Sequence, residues 1–228
     1  MGKKVIVLFG SARKKGTTAA MVGRFLEGMR EADPSLEVNV SYLYDLDFKD
    51  CRDCLGCKLR SEDARCVFRD GAKGLLDAIR DEADALVVAS PIYYFDVTAP
   101  LRSVMHRLFF PGKLGRELPS AGILTMNQPP ENYERWIRPH FDAIIGFFGR
   151  HLGTPMDTVF AYNTQPWPDG RGSRYVGYGE GYVEERERVH AERWEGDLTA
   201  SFEAGKAFAR RIAAYIQHPE EEPLEADL

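Results

Sequence analysis

The sequence predicts an α/β fold: a five-stranded parallel sheet in the order 2-1-3-4-5, with helices on both faces. Three observations carry this expectation. Residues 3–9 carry an unbroken apolar run, Val5 to Phe9, the pattern of a parallel strand buried on both faces. Four further strand-like runs each follow a helical pattern, and regular strand–helix alternation gives right-handed crossovers and a parallel sheet. The turn after the first run joins Gly, Ser and Thr to three cations at the start of a helix.

The elements follow in order. After the first strand and its turn, Val22, Phe25, Leu26 and Met29 stand at helical spacing, ending before Pro34. Residues 36–43 alternate as a second strand, and a cysteine segment runs to Asp70. Asp70 is placed to cap a helix carrying Leu75, Leu76 and Ile79. Residues 85–90 are the third strand, stopped by Pro91. Thr98 is placed to cap the next helix, with Pro100 in its first turn and Leu101, Val104, Met105 and Leu108 on one face. Residues 121–126 form a fourth strand; Ile137, Phe141, Ile144, Ile145 and Phe148 mark a fourth helix; residues 158–162 form a fifth strand. A charged, solvated helix over 184–194 is expected, then a last helix with Leu198, Phe202, Gly205, Phe208, Ile212 and Ile216. Five such units fit a flavodoxin-like three-layer sandwich, read as one domain over 1–217 with an acidic tail over 218–228. The cysteine loop, 50–70, and a Gly-, Pro- and Tyr-rich insertion, 163–196, lie inside that domain.

Bulk properties narrow the function classes. A chain of 228 residues, 44% hydrophobic, can bury a full core. No stretch approaches the roughly 20 apolar residues of a membrane helix. The N-terminal apolar run is too short for a secretion signal, so a cytoplasmic location and no membrane partner are expected. A net charge of −5 argues against a nucleic-acid partner.

The turn over 10–18 is the most informative motif. A phosphate needs backbone N–H donors and positive charge at a helix start. Ser11, Thr17 and Thr18 offer hydroxyls, Arg13 a guanidinium, and Gly16 a close backbone approach. Arg13, Lys14 and Lys15 beside a positive helix end are unfavourable unless an anion neutralises them. A Walker loop does not fit, because five residues separate Gly10 and Gly16 and Thr17 follows. The dinucleotide pattern G-x-G-x-x-G is also absent there, and no H-E-x-x-H or G-x-S-x-G occurs.

Phe9-Gly10-Ser11-Ala12-Arg13-Lys14-Lys15-Gly16-Thr17-Thr18 resembles the G-S-x-R-x-x-G-x-T loop of the NADPH-dependent FMN reductase and iron–sulfur flavoprotein families. Ser90-Pro91-Ile92-Tyr93-Tyr94-Phe95-Asp96-Val97-Thr98 resembles their S-P-I-Y loop after strand three. The resemblance implies that Ser11, Arg13, Lys15, Gly16, Thr17 and Thr18 hold the FMN phosphate. It further implies that Ser90, Pro91, Ile92, Tyr93, Tyr94 and Phe95 line the flavin ring, with Met126, Asn127 and Gln128 on its other side. All three loops leave carboxyl ends of strands, and aromatic side chains suit a flat heterocycle.

The expected activity is therefore FMN-dependent oxidoreduction. The resemblance implies that electrons pass from NAD(P)H through FMN to a quinone, flavin or redox partner, in a homodimer or homotetramer. The alternative is a non-enzymatic iron–sulfur flavoprotein electron carrier with FMN and a 4Fe–4S cluster. Flavin chemistry requires no acid–base side chain, so no catalytic residue is assigned. Cys51, Cys54, Cys57 and Cys66 form a C-x2-C-x2-C-x8-C array. Such an array suits a 4Fe–4S cluster, with zinc and plain structural thiols as alternatives. Iron–sulfur flavoproteins carry a compact motif of this kind in the same place, with a shorter last spacing than here.

Overall fold

The computed structural model describes residues 2–61, 65–112, 116–164 and 181–216. Five strands, β1 (Lys4–Phe9), β2 (Glu37–Tyr42), β3 (Ala85–Pro91), β4 (Ser120–Thr125) and β5 (Met156–Ala161), form one sheet in the order β2-β1-β3-β4-β5. All neighbours are parallel, with Val7 opposite both Val40 and Val87, and Ile123 opposite Val159.

The first strand shows how the sequence makes three layers. Side chains of a strand alternate between faces. Val5, Val7 and Phe9 enter one core with Ala85, Val87 and Ala89, while Ile6 and Leu8 enter the other with Leu86 and Val88. The first core is covered by α1 (Thr17–Ala32) and α7 (Tyr182–Ile216). The second is covered by α3 (Lys73–Asp81), α4 (Ala99–Phe109) and α6 (Arg138–Leu152). Two short helices complete the set, α2 (Gly56–Leu59) in the cysteine loop and α5 (Pro130–Asn132), which leads through a π-turn (Tyr133–Ile137) into α6.

Three local expectations need correction. The last two expected helices are one helix of 35 residues, about 52 Å long at 1.5 Å per residue. Gly196 does not break it: the position is open on all sides, and Arg188–Glu192 and Arg193–Asp197 pairs span successive turns. Asp70 does not cap α3; its carboxylate accepts Arg107 Nη1 at 2.7 Å and the backbone N–H groups of Ala72 and Lys49. Thr98 occupies the N-cap position of α4, but its hydroxyl donates instead to the Gly10 carbonyl at 2.6 Å. The expected acidic tail and residues 165–180 of the insertion lie outside the described residues.

Helices α1 and α7 meet at their backbones. A Cβ on Gly205 would lie 2.0 Å from the Phe25 carbonyl oxygen, and one on Gly28 would lie 2.0 Å from that of Phe202. Only glycine at both crossings permits this approach. The Ser201 hydroxyl donates to the Met21 carbonyl at 2.8 Å beside the crossing.

Candidate functional site

The loops after β1, β3 and β4 leave the carboxyl ends of three adjacent strands, where open α/β sheets bind ligands. The first is anchored at Gly10. Its N–H donates to the Ala89 carbonyl at 2.7 Å, and its carbonyl accepts the Thr98 hydroxyl. A Cβ on Gly10 would lie 2.9 Å from Thr98 Oγ1 and 3.1 Å from the Ala89 oxygen, so the turn depends on its glycine. Ser11 is buried, and its Oγ accepts the Arg13 N–H at 3.2 Å.

The first i→i−4 bond of α1 runs from Ala20 to the Gly16 carbonyl. The N–H groups of Thr17, Thr18 and Ala19 thus have no partner within the helix. The first turn of α1 carries no acidic residue. Arg13, Lys14 and Lys15 are exposed; Lys14 pairs with Asp45 and lies 4.8 Å over the Tyr42 ring, and Lys15 has no ion-pair partner among the described residues. This end is cationic, with free donors. Thr18 differs from the sequence reading in one respect. Its buried hydroxyl shares a hydrogen bond of 2.8 Å with the Thr125 hydroxyl, which leaves its backbone N–H for an anion.

The second loop begins inside the sheet. Ser90 and Pro91 are fully buried in β3, and Ser90 Oγ accepts the Thr98 N–H at 3.1 Å, so these two position the loop and do not line a cavity. Tyr93 and Asp96 exchange backbone bonds of 2.8 and 3.0 Å around a tight turn. At its tip, Tyr94 and Phe95 both have positive φ, 46° and 66°. Each such residue costs about 1–2 kcal/mol, and strain of this kind gathers at functional sites. Tyr94 is 98% exposed, so its own burial does not offset that cost in the isolated chain. The Asp96–Arg102 ion pair braces the base of the turn.

The third loop is pinned to the chain after β5. Met126 N–H donates to the Ala161 carbonyl at 2.9 Å, and Thr164 N–H donates to the Met126 carbonyl at 3.0 Å. Asn163 N–H reaches the Gln128 carbonyl at 3.1 Å, and Gln128 Oε1 accepts Asn132 Nδ2 at 2.7 Å. Asn127 Oδ1 is enclosed yet has no hydrogen-bond partner among the described residues.

The second and third loops enclose a cavity of about 570 Å³. Six of the sequence-predicted residues line it: Ile92, Tyr94, Phe95, Met126, Asn127 and Gln128. Tyr93 does not, and neither do the phosphate-loop residues. The Thr18–Thr125 and Thr98–Gly10 hydrogen bonds join that loop to the strands bearing the cavity. Four wall residues escaped the sequence reading: Asn132, Trp136, Ile137 and Tyr182. Pro129-Pro130 signals the short helix bearing Asn132, but nothing local marks Tyr182, which α7 brings in from far along the chain. Behind the wall, Tyr133 packs on Phe160 and Tyr162 at 4.6 and 5.6 Å, and burial pushes both tyrosine hydroxyls above their ordinary range. Burial likewise pushes His190 below its ordinary value.

The four cysteines are free thiols that line one small pocket with Arg52, Phe68 and Arg107. Cys57 is buried, which pushes its thiol up, and Arg107 Nε donates to Cys66 Sγ at 3.4 Å. Among the described residues, no three Cys, His, Asp or Glu side chains gather as a metal-binding group.

Comparison with known proteins places this geometry. The model of the NADPH-dependent FMN reductase family matches residues 3–123. The chain belongs to the NADPH-dependent FMN reductase family. The family match runs from β1 into β4, with the first two loops and all four cysteines, and it ends before Met126. An iron–sulfur flavoprotein of Methanocaldococcus jannaschii is 32% identical over 104 residues, 46% of this chain and 51% of that protein. One from Archaeoglobus fulgidus is 30% identical over 105 residues, 46% of this chain and 45% of the relative. The chain thus spans about half the length of the curated relatives it matches. Among solved structures, the NAD(P)H:quinone oxidoreductase from Methanothermobacter marburgensis superposes with a TM-score of 0.61 at 16% identity, covering 90% of this chain and 98% of that one. An FMN-dependent NADH-azoreductase from Bacillus anthracis, in complex with FMN, gives a TM-score of 0.60 at 14% identity, covering 92% and 100%. These likenesses establish the flavodoxin-like fold that the NADPH-dependent FMN reductase family shares. No helix among the described residues is long and apolar enough to cross a membrane.

Proposed function

We propose that this chain is an FMN-dependent oxidoreductase that takes electrons from NAD(P)H and passes them to a quinone, a flavin or a redox partner. The observation that carries the reading is the joining of a cationic helix start to an aromatic-walled cavity at adjacent strand ends. The residues fit FMN on two counts. The loop over 11–18 offers the backbone donors of Thr17 and Thr18 with the charges of Arg13 and Lys15 to a terminal phosphate. The unpartnered Asn127 Oδ1 offers an acceptor to an N–H on a ring edge.

When bound, FMN supplies the hydride and electron transfer. The protein's own work is to bind and orient. Thr98 and Ser90 fix the first two loops against each other, and Met126, Ile92 and Phe95 exclude water from the ring's surroundings. The cavity volume lies within the usual range of about 300–1,000 Å³ for small-molecule sites. Tyr182 on its wall supports a covering role for the start of α7 over the flavin. The exposed Tyr94 and Trp136 support a homodimer or homotetramer closing over this face. Residues 1–217 act as one unit, supported by the return of α7 onto α1.

The four cysteines line one pocket, but among the described residues no three of them gather as ligands of a 4Fe–4S cluster. No electron-transfer step is routed through one.

The test is a fluorescence titration of flavin-free protein with FMN, followed by NAD(P)H oxidation with menadione as acceptor. Arg13→Ala with Lys15→Ala should weaken FMN binding about tenfold or more, the equivalent of at least one charge-assisted contact. Absence of flavin uptake by the parent chain, or an unchanged affinity in the double variant, overturns the assignment.

A further inference from the structure

We infer that the Trp136 side of the cavity is an acceptor subsite for a planar aromatic molecule that bears an acidic group on its ring. The ring stacks on Trp136, and the acidic group is held by Arg135. The inference rests on the proposed function and narrows its acceptor to one chemical class.

Four features point to it. First, Trp136 and Ile137 reach the cavity from the π-turn between α5 and α6. A turn of this kind carries one extra residue, which re-aims the side chains on it, and such turns gather at functional sites. Tyr133 and Ile137, at its two ends, are buried and fix its backbone. Second, Trp136 is 57% exposed although it lines the cavity, and the exposed Tyr94 and Phe95 line the same cavity from the second loop. Aromatic walls of this kind gain most from a flat ring set against them.

Third, Arg135 stacks on Trp136, with its guanidinium carbon 4.6 Å from the ring centroid. Stacking leaves the N–H donors of the fork unused. Arg135 forms no ion pair or side-chain hydrogen bond among the described residues. The acidic groups near it in the chain do not neutralise it. Glu134 and Asp142 pair with Arg138 at 2.7 and 3.4 Å, and Glu131, one turn before Arg135, forms no ion pair among the described residues. Fourth, no charged side chain among the described residues lines the cavity itself. An acidic substituent therefore finds its counter-charge in Arg135, whose planar fork suits a carboxylate or sulfonate.

The distance assigns the subsite to acceptor over donor. Arg135 lies one stacked layer from Trp136, so the anion it holds is attached to the ring on Trp136. The phosphates of NAD(P)H stand at least a ribose away from either of its rings. A quinone of this class takes a hydride equivalent from NAD(P)H and a proton from water. Its two carbonyls become hydroxyls, NAD(P)+ leaves, and the acidic group is unchanged.

The experiment uses the FMN-loaded full chain, with menadione and a naphthoquinone sulfonate as acceptors. Binding is read separately by calorimetry, without turnover, with naphthalene sulfonate and its neutral analogue naphthalene sulfonamide. The parent should bind the sulfonate about tenfold more tightly than the sulfonamide, the equivalent of one charge-assisted contact. Arg135→Gln should bring that ratio to about one, and Arg135→Lys should restore part of it. Arg135→Gln should also raise the KM of the quinone sulfonate about tenfold relative to that of menadione, while the ratio of the two kcat values holds. Comparing these ratios between parent and variant cancels the differing reduction potentials of the two quinones. Trp136→Ala should weaken both naphthalenes about tenfold.

A binding ratio near one in the parent, a ratio unmoved by Arg135→Gln, or a loss of preference for NADPH over NADH in that variant would each overturn the inference and leave the proposed function standing. Conversion of Arg135→Gln to a smaller assembly, with both naphthalenes lost alike, would assign the pair to a subunit contact and overturn it too. Absence of FMN uptake, or of NAD(P)H oxidation with both quinones, would overturn the proposed function and the acceptor assignment with it.

Discussion

The crossing of α1 and α7 yields a pair of substitutions with opposite expected signs on one helix. In Gly205→Ala the new Cβ would stand 2.0 Å from the Phe25 oxygen, 2.8 Å from its carbonyl carbon and 3.1 Å from its Cα. Ordinary carbon–oxygen contact needs about 3.4 Å, so the helices must part by roughly 1.4 Å. That parting breaks the Ser201–Met21 hydrogen bond, worth about 1 kcal/mol, and loosens the Phe25–Phe208 contact at 5.9 Å. Overpacking adds about 1–3 kcal/mol, while the better helix propensity of alanine returns about 1. The net loss is roughly 1–3 kcal/mol, which lowers Tm by roughly 2–12 °C for a chain of this size. Gly196→Ala meets nothing within 4 Å, so only the propensity gain of about 1 kcal/mol remains, and Tm should rise by roughly 2–4 °C. Urea unfolding followed by circular dichroism, with thermal melts, measures both. Equal stabilisation by the two alanines would refute the backbone-contact argument.

Three further outcomes are expected. Gly10→Ala should destabilise the chain by about 1–3 kcal/mol and weaken FMN binding, since its Cβ meets Thr98 Oγ1, the Ala89 oxygen and Leu101 Cβ at 2.9–3.2 Å; an unfolding curve beside a flavin titration checks it. Thr98→Val removes the hydroxyl that reaches the Gly10 carbonyl and should cost about 1 kcal/mol, with Thr98→Ser restoring most of it. Burial depresses the folded-state pKa of His190, so the unfolded chain takes up its proton first as pH falls below about 6.5. Stability should therefore drop between pH 6.5 and the lower folded-state value, and His190→Gln should flatten that limb; unfolding free energies at pH 7.5 and 5.5 read it out.

The positive-φ turn at Tyr94 and Phe95 shows where sequence reading stops. The aromatic run was legible as a ring-facing loop, but β-propensity gave no warning that two bulky residues would occupy the left-handed region. That conformation is set by the Tyr93–Asp96 bonds and the Arg102 brace, which join residues only after the loop has closed. Thr18 and Thr98 teach the same lesson from the polar side. Both were legible as helix-start hydroxyls, yet their partners, Thr125 and Gly10, lie at the carboxyl ends of strands far along the chain from them. Ser90 changed from ring contact to brace for the same reason.

Local order in the chain determined the strands, their parallel pairing and the cationic turn, because period-two and helical apolar patterns are properties of neighbouring residues, whereas the sheet order followed from the flavodoxin-like topology that five such units fit. The ends of elements moved by one or two residues where backbone bonding, not side-chain pattern, sets the limit. Only the tertiary structure decided that α7 is one continuous helix, that Tyr182 walls the cavity, and that Arg107 is turned onto Cys66. Each joins residues far apart in the chain, and such contacts depend on three-dimensional closure that a local pattern does not encode.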